Sequence, residues 1–230
     1  MQPVSKRRGI TMAELLIGVG VLALAILLLC YAVHYQRGEA RRIRCQGNLN
    51  QLAKGIWPYL KNYGDSRFYP WPVGRPGCGT AANPRFGGAE WLAALYWTKI
   101  LPDPGCFICP ASLDSNEDGR ELGADGCPGN QPLPPSAVSY AGMGDRSVGI
   151  YMASKMGRAR YATSRITVPD DFPPGVPMAC DDTEEPINHG RAGNGGMNVL
   201  FFDSHVEWWT HERVDLERGV GTGELVHLRT

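Results

Sequence analysis

Two parts of this chain carry side chains whose types and spacing suit chemistry. The first is Asp114 to Asp125, DSNEDGRELGAD. It places oxygen ligands at the first, third and fifth positions, glycine at the sixth and a carboxylate at the twelfth. In that register Asp114, Asn116, Asp118 and Asp125 converge by side chain, and Arg120 by its backbone carbonyl, on one calcium ion. Asp125 is shorter than the bidentate Glu usual at the last position, and no clear helices flank the loop. The same residues therefore also read as a solvated acidic turn held by Cys109 and Cys127. The second part is the cysteine set. Of seven cysteines, Cys30 lies in an apolar run, leaving Cys45, Cys78, Cys106, Cys109, Cys127 and Cys180. Six cysteines outside a reducing cytosol allow up to three disulfides, in any of fifteen pairings, with free thiols as a further reading. Cys106-x-x-Cys109 also reads as half a zinc site, but a zinc ribbon needs a second closely spaced pair, which the chain lacks.

Other polar groups carry less. His189, His205 and Asp203 invite a metal or acid–base reading, yet no nucleophile is spaced to use them, and structural roles are expected. Asp181, Asp182, Glu184 and Glu185 read as an exposed acidic loop. Lys155, Arg158, Arg160 and Arg165 read as a solvated face, since no Gly-rich phosphate loop accompanies them. We find no nucleophile–base pair, so an enzyme is not expected.

The elements that must position these groups begin at the N-terminus. The leader MQPVSKRRG holds Lys6, Arg7 and Arg8 and no acid, and Glu14 is the only charge between Arg8 and His34. From Leu15 to Val33 every residue is apolar or small, nineteen in a row. As a helix that run spans about 28 Å, close to a bilayer core of roughly 30 Å. Basic residues on its leading flank keep that end cytoplasmic and place the rest of the chain outside. A secretory signal peptide would have a shorter run and a small-x-small cut site. A plain signal anchor explains the length but not Glu14, because a carboxylate in a membrane helix is costly and normally has a partner. A cut after Gly9 supplies one. It frees the amine of Ile10, with Glu14 four residues along on the same face, so that amine and carboxylate on neighbouring copies neutralise each other.

The run Gly9-Ile10-Thr11-Met12-Ala13-Glu14-Leu15-Leu16 resembles the prepilin cleavage and methylation motif of type IV pilins and type II secretion pseudopilins, with Ile10 where Phe or Met is usual and Met12 where Leu is usual. The resemblance implies cleavage after Gly9 by a prepilin peptidase, N-methylation of Ile10, and Glu14 as the assembly carboxylate. It also implies, as partners, other copies or related pilin subunits, inner-membrane assembly machinery and the lipid bilayer. The stretch GEARRIRCQGNLNQLAKGI, with NYGD and FYPWP after it, is similar to prepilin-like proteins abundant in planctomycetes, whose C-terminal domain carries a His, nine residues and Asp-Gly. Here His189 and Asp203 stand for that pair, separated by thirteen residues, and Ser204 replaces the glycine. Ser139-Tyr140-Ala141-Gly142 resembles a Ser-Tyr segment of the same subgroup.

The rest of the chain reads by periodicity. Leu49, Leu52, Ile56 and Leu60 make one apolar stripe on a helix from Gln36 to Tyr63, which Pro58 should kink or end. Glu90 to Ile100 reads as a helix with Leu92, Leu95, Tyr96 and Ile100 on one side. Asn198–Phe202 and His205–Trp209 read as strands of a β-hairpin with Asp203-Ser204 at the turn. Serine at a position favouring positive φ is a cost there. About 195 residues outside the apolar segment suffice for one domain with a core. The 23 basic and 23 acidic side chains balance, and losing three basic ones with the leader leaves 20 against 23, or −3. That excess argues against nucleic acid as a partner.

The expected architecture is α+β: a leader over residues 1–9, a membrane helix over 10–35, its continuation over 36–63, and over 64–230 a loop-rich head with a small antiparallel sheet. The expected location is the inner membrane, single-pass, with the head in the periplasm or outside, or in an extracellular filament. Calcium is the one cofactor the residues offer. A membrane-anchored binding module for calcium or glycans is the alternative, with exposed Trp71, Trp91 or Trp209 as its mark, and an anchored envelope enzyme stands behind it.

Overall fold

The computed structural model describes residues 11–62, 87–116, 118–123, 133–143, 174–182, 187–190, 194–216 and 220–229. The chain forms two compact units, Met1–Ala40 and Arg41–Thr230. One helix, α1, runs Met12–Asn62 and contributes to both.

In the first unit α1 is long and apolar enough to cross a membrane. Its large apolar side chains from Met12 to Tyr35 are all exposed, many by more than half. Its start is built by Thr11 and Glu14. The Thr11 backbone N–H and hydroxyl donate to Glu14 Oε2 at 2.8 and 3.0 Å, and the Glu14 N–H donates back to Thr11 Oγ1 at 3.3 Å. This reciprocal pair is a capping box, which satisfies backbone donors that the first helical turn leaves open.

In the second unit α1 buries Cys45, Leu49, Leu52, Ile56, Tyr59 and Leu60, a stripe at steps of three and four. The stripe meets the segment around Leu95 and Leu101. Gly55 lies so close there that a methyl group on it would come within 2.8 Å of Leu101. Pro58 does not end the helix, which continues to Asn62.

Helix α2, Gly88–Trp97, is buried on nearly every side, as a central helix with mostly apolar residues must be. Its N-cap, Gly87, has no side chain to offer. Glu90 supplies the return half alone, accepting from the Gly87 N–H at 2.6 Å, while its other oxygen accepts from the Leu133 N–H at 3.2 Å. The helix stops before Ile100. Lys99 takes a left-handed φ of 58°, and the Ile100 and Leu101 N–H groups turn back to the Leu95 carbonyl. This closure satisfies a terminal acceptor and ends the element.

The sheet is antiparallel. Strands β1 (Tyr140–Met143), β2 (Pro177–Asp181), β3 (Gly196–Phe201) and β4 (Val206–Thr210) pair in the order β4-β3-β2-β1, with a two-residue β5 (Leu228–Arg229) beside β1. An α+β arrangement is therefore observed. The β3–β4 hairpin pairs Leu200 with Val206 and Asn198 with Trp208, and Ser204 at its turn has φ 71°, the left-handed geometry expected there. All six positions of β3 are buried, whereas edge strand β4 buries Trp209 and exposes Glu207 and Thr210. The Trp209 indole N–H donates to Glu207 at 2.9 Å. That bond, helped by Arg213, holds the Glu207 carboxyl below the usual range.

Candidate functional site

Gly9 and Ile10 lie outside the described residues, so the structure speaks to the processing site only through Glu14. That carboxylate sits at the third helical position and is bound to Thr11. The T-x-x-E spacing before an apolar run is legible in the sequence as a capping box, and reading Glu14 as an assembly group alone misses it. The side chain thus has two uses: closing the first turn, and carrying the one charge of an otherwise apolar helix end.

The Asp114–Asp125 loop is partly described. Gly119 has φ 72°, so the glycine serves the tight turn expected at the sixth position. Asp118 accepts from the Arg120 N–H at 3.1 Å and pairs with the Arg120 Nε at 3.0 Å. Asn116 is turned inward. It is 3% exposed, and its Nδ2 donates to the Ala137 carbonyl at 3.1 Å. Asp114 N–H donates to Ser112 Oγ at 3.2 Å, and Asp125 lies outside the described residues. Protein–protein bonds fasten the loop at four of its expected ligand positions, Asp114, Asn116, Asp118 and Arg120, while Asn116 Oδ1 is buried without a hydrogen-bond partner.

The cysteines correct the expectation. Cys109 bonds to Cys45, sixty-four residues away, and not to Cys127, which with Cys78 lies outside the described residues. Cys106 and Cys180 are buried free thiols and Cys30 is an exposed one, so the Cys106-x-x-Cys109 pair is split between two fates. Cys106 Sγ donates to Gln51 Oε1 at 2.9 Å. Burial, then the nearby Asp103 charge, pushes its pKa up to about 11. Only the thiolate attacks alkylating agents. The raised pKa keeps this group protonated until well above the ordinary range, so iodoacetamide at neutral pH should modify Cys106 on the order of a hundredfold more slowly than in the denatured chain. Peptide mapping after timed alkylation reads this, and equal rates would contradict the buried, proton-retaining thiol.

The most concentrated chemistry in the head surrounds that disulfide. Asp181 was expected on an exposed acidic loop, but it ends β2 and is 1% exposed. His189, 6% exposed, holds its Nε2 3.4 Å from Cys109 Sγ and 3.4 Å from Asp181 Oδ2. Donor atoms of Cys45, Cys109, Asp181 and His189 all lie within 4.8 Å of one another, and all four residues are buried. Asn198 fixes the carboxylate, donating to Oδ2 from its backbone N–H at 2.6 Å and its Nδ2 at 2.9 Å, while Asp181 Oδ1 is buried without a hydrogen-bond partner.

The glycines beside His189 explain how it reaches the site. Gly190 has φ 85°, and a side chain there would strike Gly195 at 2.6 Å; one on Gly196 would strike the Trp209 carbonyl at 2.4 Å. The doubling-back that lets His189 bridge to Gly196 therefore admits only glycine at these points.

The other groups are dispersed. His205 contacts Asp203 across the hairpin turn and stacks on Phe201 at 4.3 Å, both polar partners being well exposed. Of the two residues that stand for the subgroup's motif, His189 faces Asp181 and Asp203 contacts His205. Trp91 and Trp209 are buried at 0% and 2% exposure, which removes them as glycan platforms, and Trp71 lies outside the described residues, as do Glu184, Glu185 and the Lys155–Arg165 run. No family model matches this chain, and no curated protein or solved structure matches it either.

Proposed function

We propose that this chain is a pilin-like or pseudopilin-like structural subunit, cleaved after Gly9 and assembled through its N-terminal helix into a filament or secretion pseudopilus. The observation that carries the reading is the division of α1. One continuous helix presents apolar side chains to its surroundings from Met12 to Tyr35 and buries an apolar stripe from Cys45 to Leu60. Glu14, which closes the first turn with Thr11, also sets the one charge of this apolar run at its leading end, where the amine of a neighbouring subunit would meet it.

In this reading the mechanism is packing, not catalysis. Prepilin peptidase removes the leader on the cytoplasmic face, Ile10 becomes the N-terminus and is methylated, and the inner-membrane assembly machinery draws the helix from the bilayer into a bundle of like helices. In lipid nothing hydrophobic drives helices together, so close contact at Gly18 and Gly20 and polar pairing at Glu14 supply the association. Among the described residues no side chain fills the space beside either glycine, leaving both open to another helix.

The test is the mass of the envelope-derived chain. It should begin at Ile10 and carry one added methyl group. A chain that retains Met1 and the basic leader has no free amine at Ile10 and overturns the reading.

A further inference from the structure

We infer that Cys45, Cys109, Asp181 and His189 form a closed four-ligand site for a divalent thiophilic metal, zinc foremost, occupied when the two sulfurs are not joined to each other. The inference is independent of filament assembly.

A disulfide accounts for two of these residues and gives no reason for the other two. Burying a carboxylate costs free energy unless its lone pairs are met. Here Oδ2 is met by Asn198 and Oδ1 by nothing. The chain nevertheless brings an Asp from β2 and a His from the glycine-rich loop onto one bond between α1 and the turn after Phe107. A His–Asp ion pair is the simpler account, but it leaves unexplained why both face the sulfurs.

The spacing suits a metal. A tetrahedral zinc centre with bonds of about 2.0–2.3 Å has ligand–ligand edges of roughly 3.3–3.8 Å. The Cys109 Sγ–His189 Nε2 and His189 Nε2–Asp181 Oδ2 distances, both 3.4 Å, already fall there. Four protein ligands fill a tetrahedral shell and all four residues are buried, which is the form of a structural site and not a catalytic one. Asn198, holding the carboxylate, has the outer-shell role that orients a ligand.

The two occupants compete for the same sulfur lone pairs. A dithiol donor or a phosphine gives two electrons to the S–S bond, which breaks to two thiols. The phosphine becomes its oxide, with the oxygen taken from water and the two protons going to sulfur. Metal then displaces both thiol protons to solvent, and neutral imidazole and carboxylate complete the shell. Reoxidation by a disulfide carrier takes two electrons from the thiolates, restores the S–S bond and releases the ion. The head is thus clamped at one point by either a covalent bond or a metal.

The experiment uses the full chain in detergent, reduced anaerobically with a phosphine and titrated with cobalt. The expected result is about one cobalt per chain, with intense tetrahedral d–d absorption and thiolate-to-cobalt charge transfer, and none in the oxidised chain. Asp181→Asn and His189→Gln should each weaken binding at least tenfold, while Cys78→Ser, Cys106→Ser and Cys127→Ser should leave it unchanged. If reduction alone loosens the fold, cobalt or zinc should restore the circular dichroism of the oxidised chain. Absence of the tetrahedral signature, its survival undiminished in Asp181→Asn and His189→Gln, or failure of metal to restore a loosened fold overturns the proposal.

Discussion

Glu14→Gln subunits should be processed after Gly9 and inserted as the parent is, yet fail to enter filaments. Glutamine keeps the length and acceptor oxygen that close the capping box with Thr11, so the helix start survives. What is lost is the charge that an adjacent subunit's free amine would meet in a low-dielectric bundle. Leaving such an amine unpaired costs about 3 kcal/mol, roughly a hundredfold in assembled subunit. Thr11→Ala is the complementary change: it removes the hydroxyl half of the cap, at about 1 kcal/mol, but keeps the carboxylate, and filaments should form. Glu14→Ala loses both functions and should assemble as poorly as Glu14→Gln. Sheared-filament yield against total membrane-associated subunit measures all three. If Glu14→Gln assembles like the parent while Thr11→Ala does not, the carboxylate works as a cap and not as an assembly partner.

The second large effect belongs to the Cys45–Cys109 bond. It closes a loop of sixty-four residues, and the chain entropy removed from the unfolded state by such a loop corresponds to about 4 kcal/mol. The joint substitution Cys45→Ser with Cys109→Ser should therefore lower the denaturant midpoint of the head, with a fall in melting temperature on the order of 10 °C. The single substitutions should fall at least as far, because each leaves a buried thiol beside Asp181 and His189. A loss below about 1 kcal/mol in the double variant would show that the bond adds little to packing already complete around Leu49, Leu52 and Leu95.

How far an element can be read from the sequence depends on the range of the interactions that form it. The stripe Leu49, Leu52, Ile56 and Leu60 was legible because helical period and burial are both encoded within a few residues. The hairpin was legible because a two-residue turn between β-rich runs is a local signal. The Thr11–Glu14 box is equally local, its T-x-x-E spacing standing within one helical turn. The early end of α2 is not marked locally: Lys99 adopts a left-handed φ with no glycine to signal it, and the closing bonds to the Leu95 carbonyl form in the folded chain.

By itself, then, the sequence determined a long helix with an apolar leading half and a single acid, a packed second half, and an antiparallel hairpin near the C-terminus. Each follows from side-chain period and turn chemistry over short spans. Only the tertiary structure decided that Cys45 joins Cys109, that Asp181 leaves an apparent acidic loop to end a buried strand, and that His189 faces it. Those outcomes depend on which distant segments the core brings together, and the spacing of residues along the chain does not record that choice.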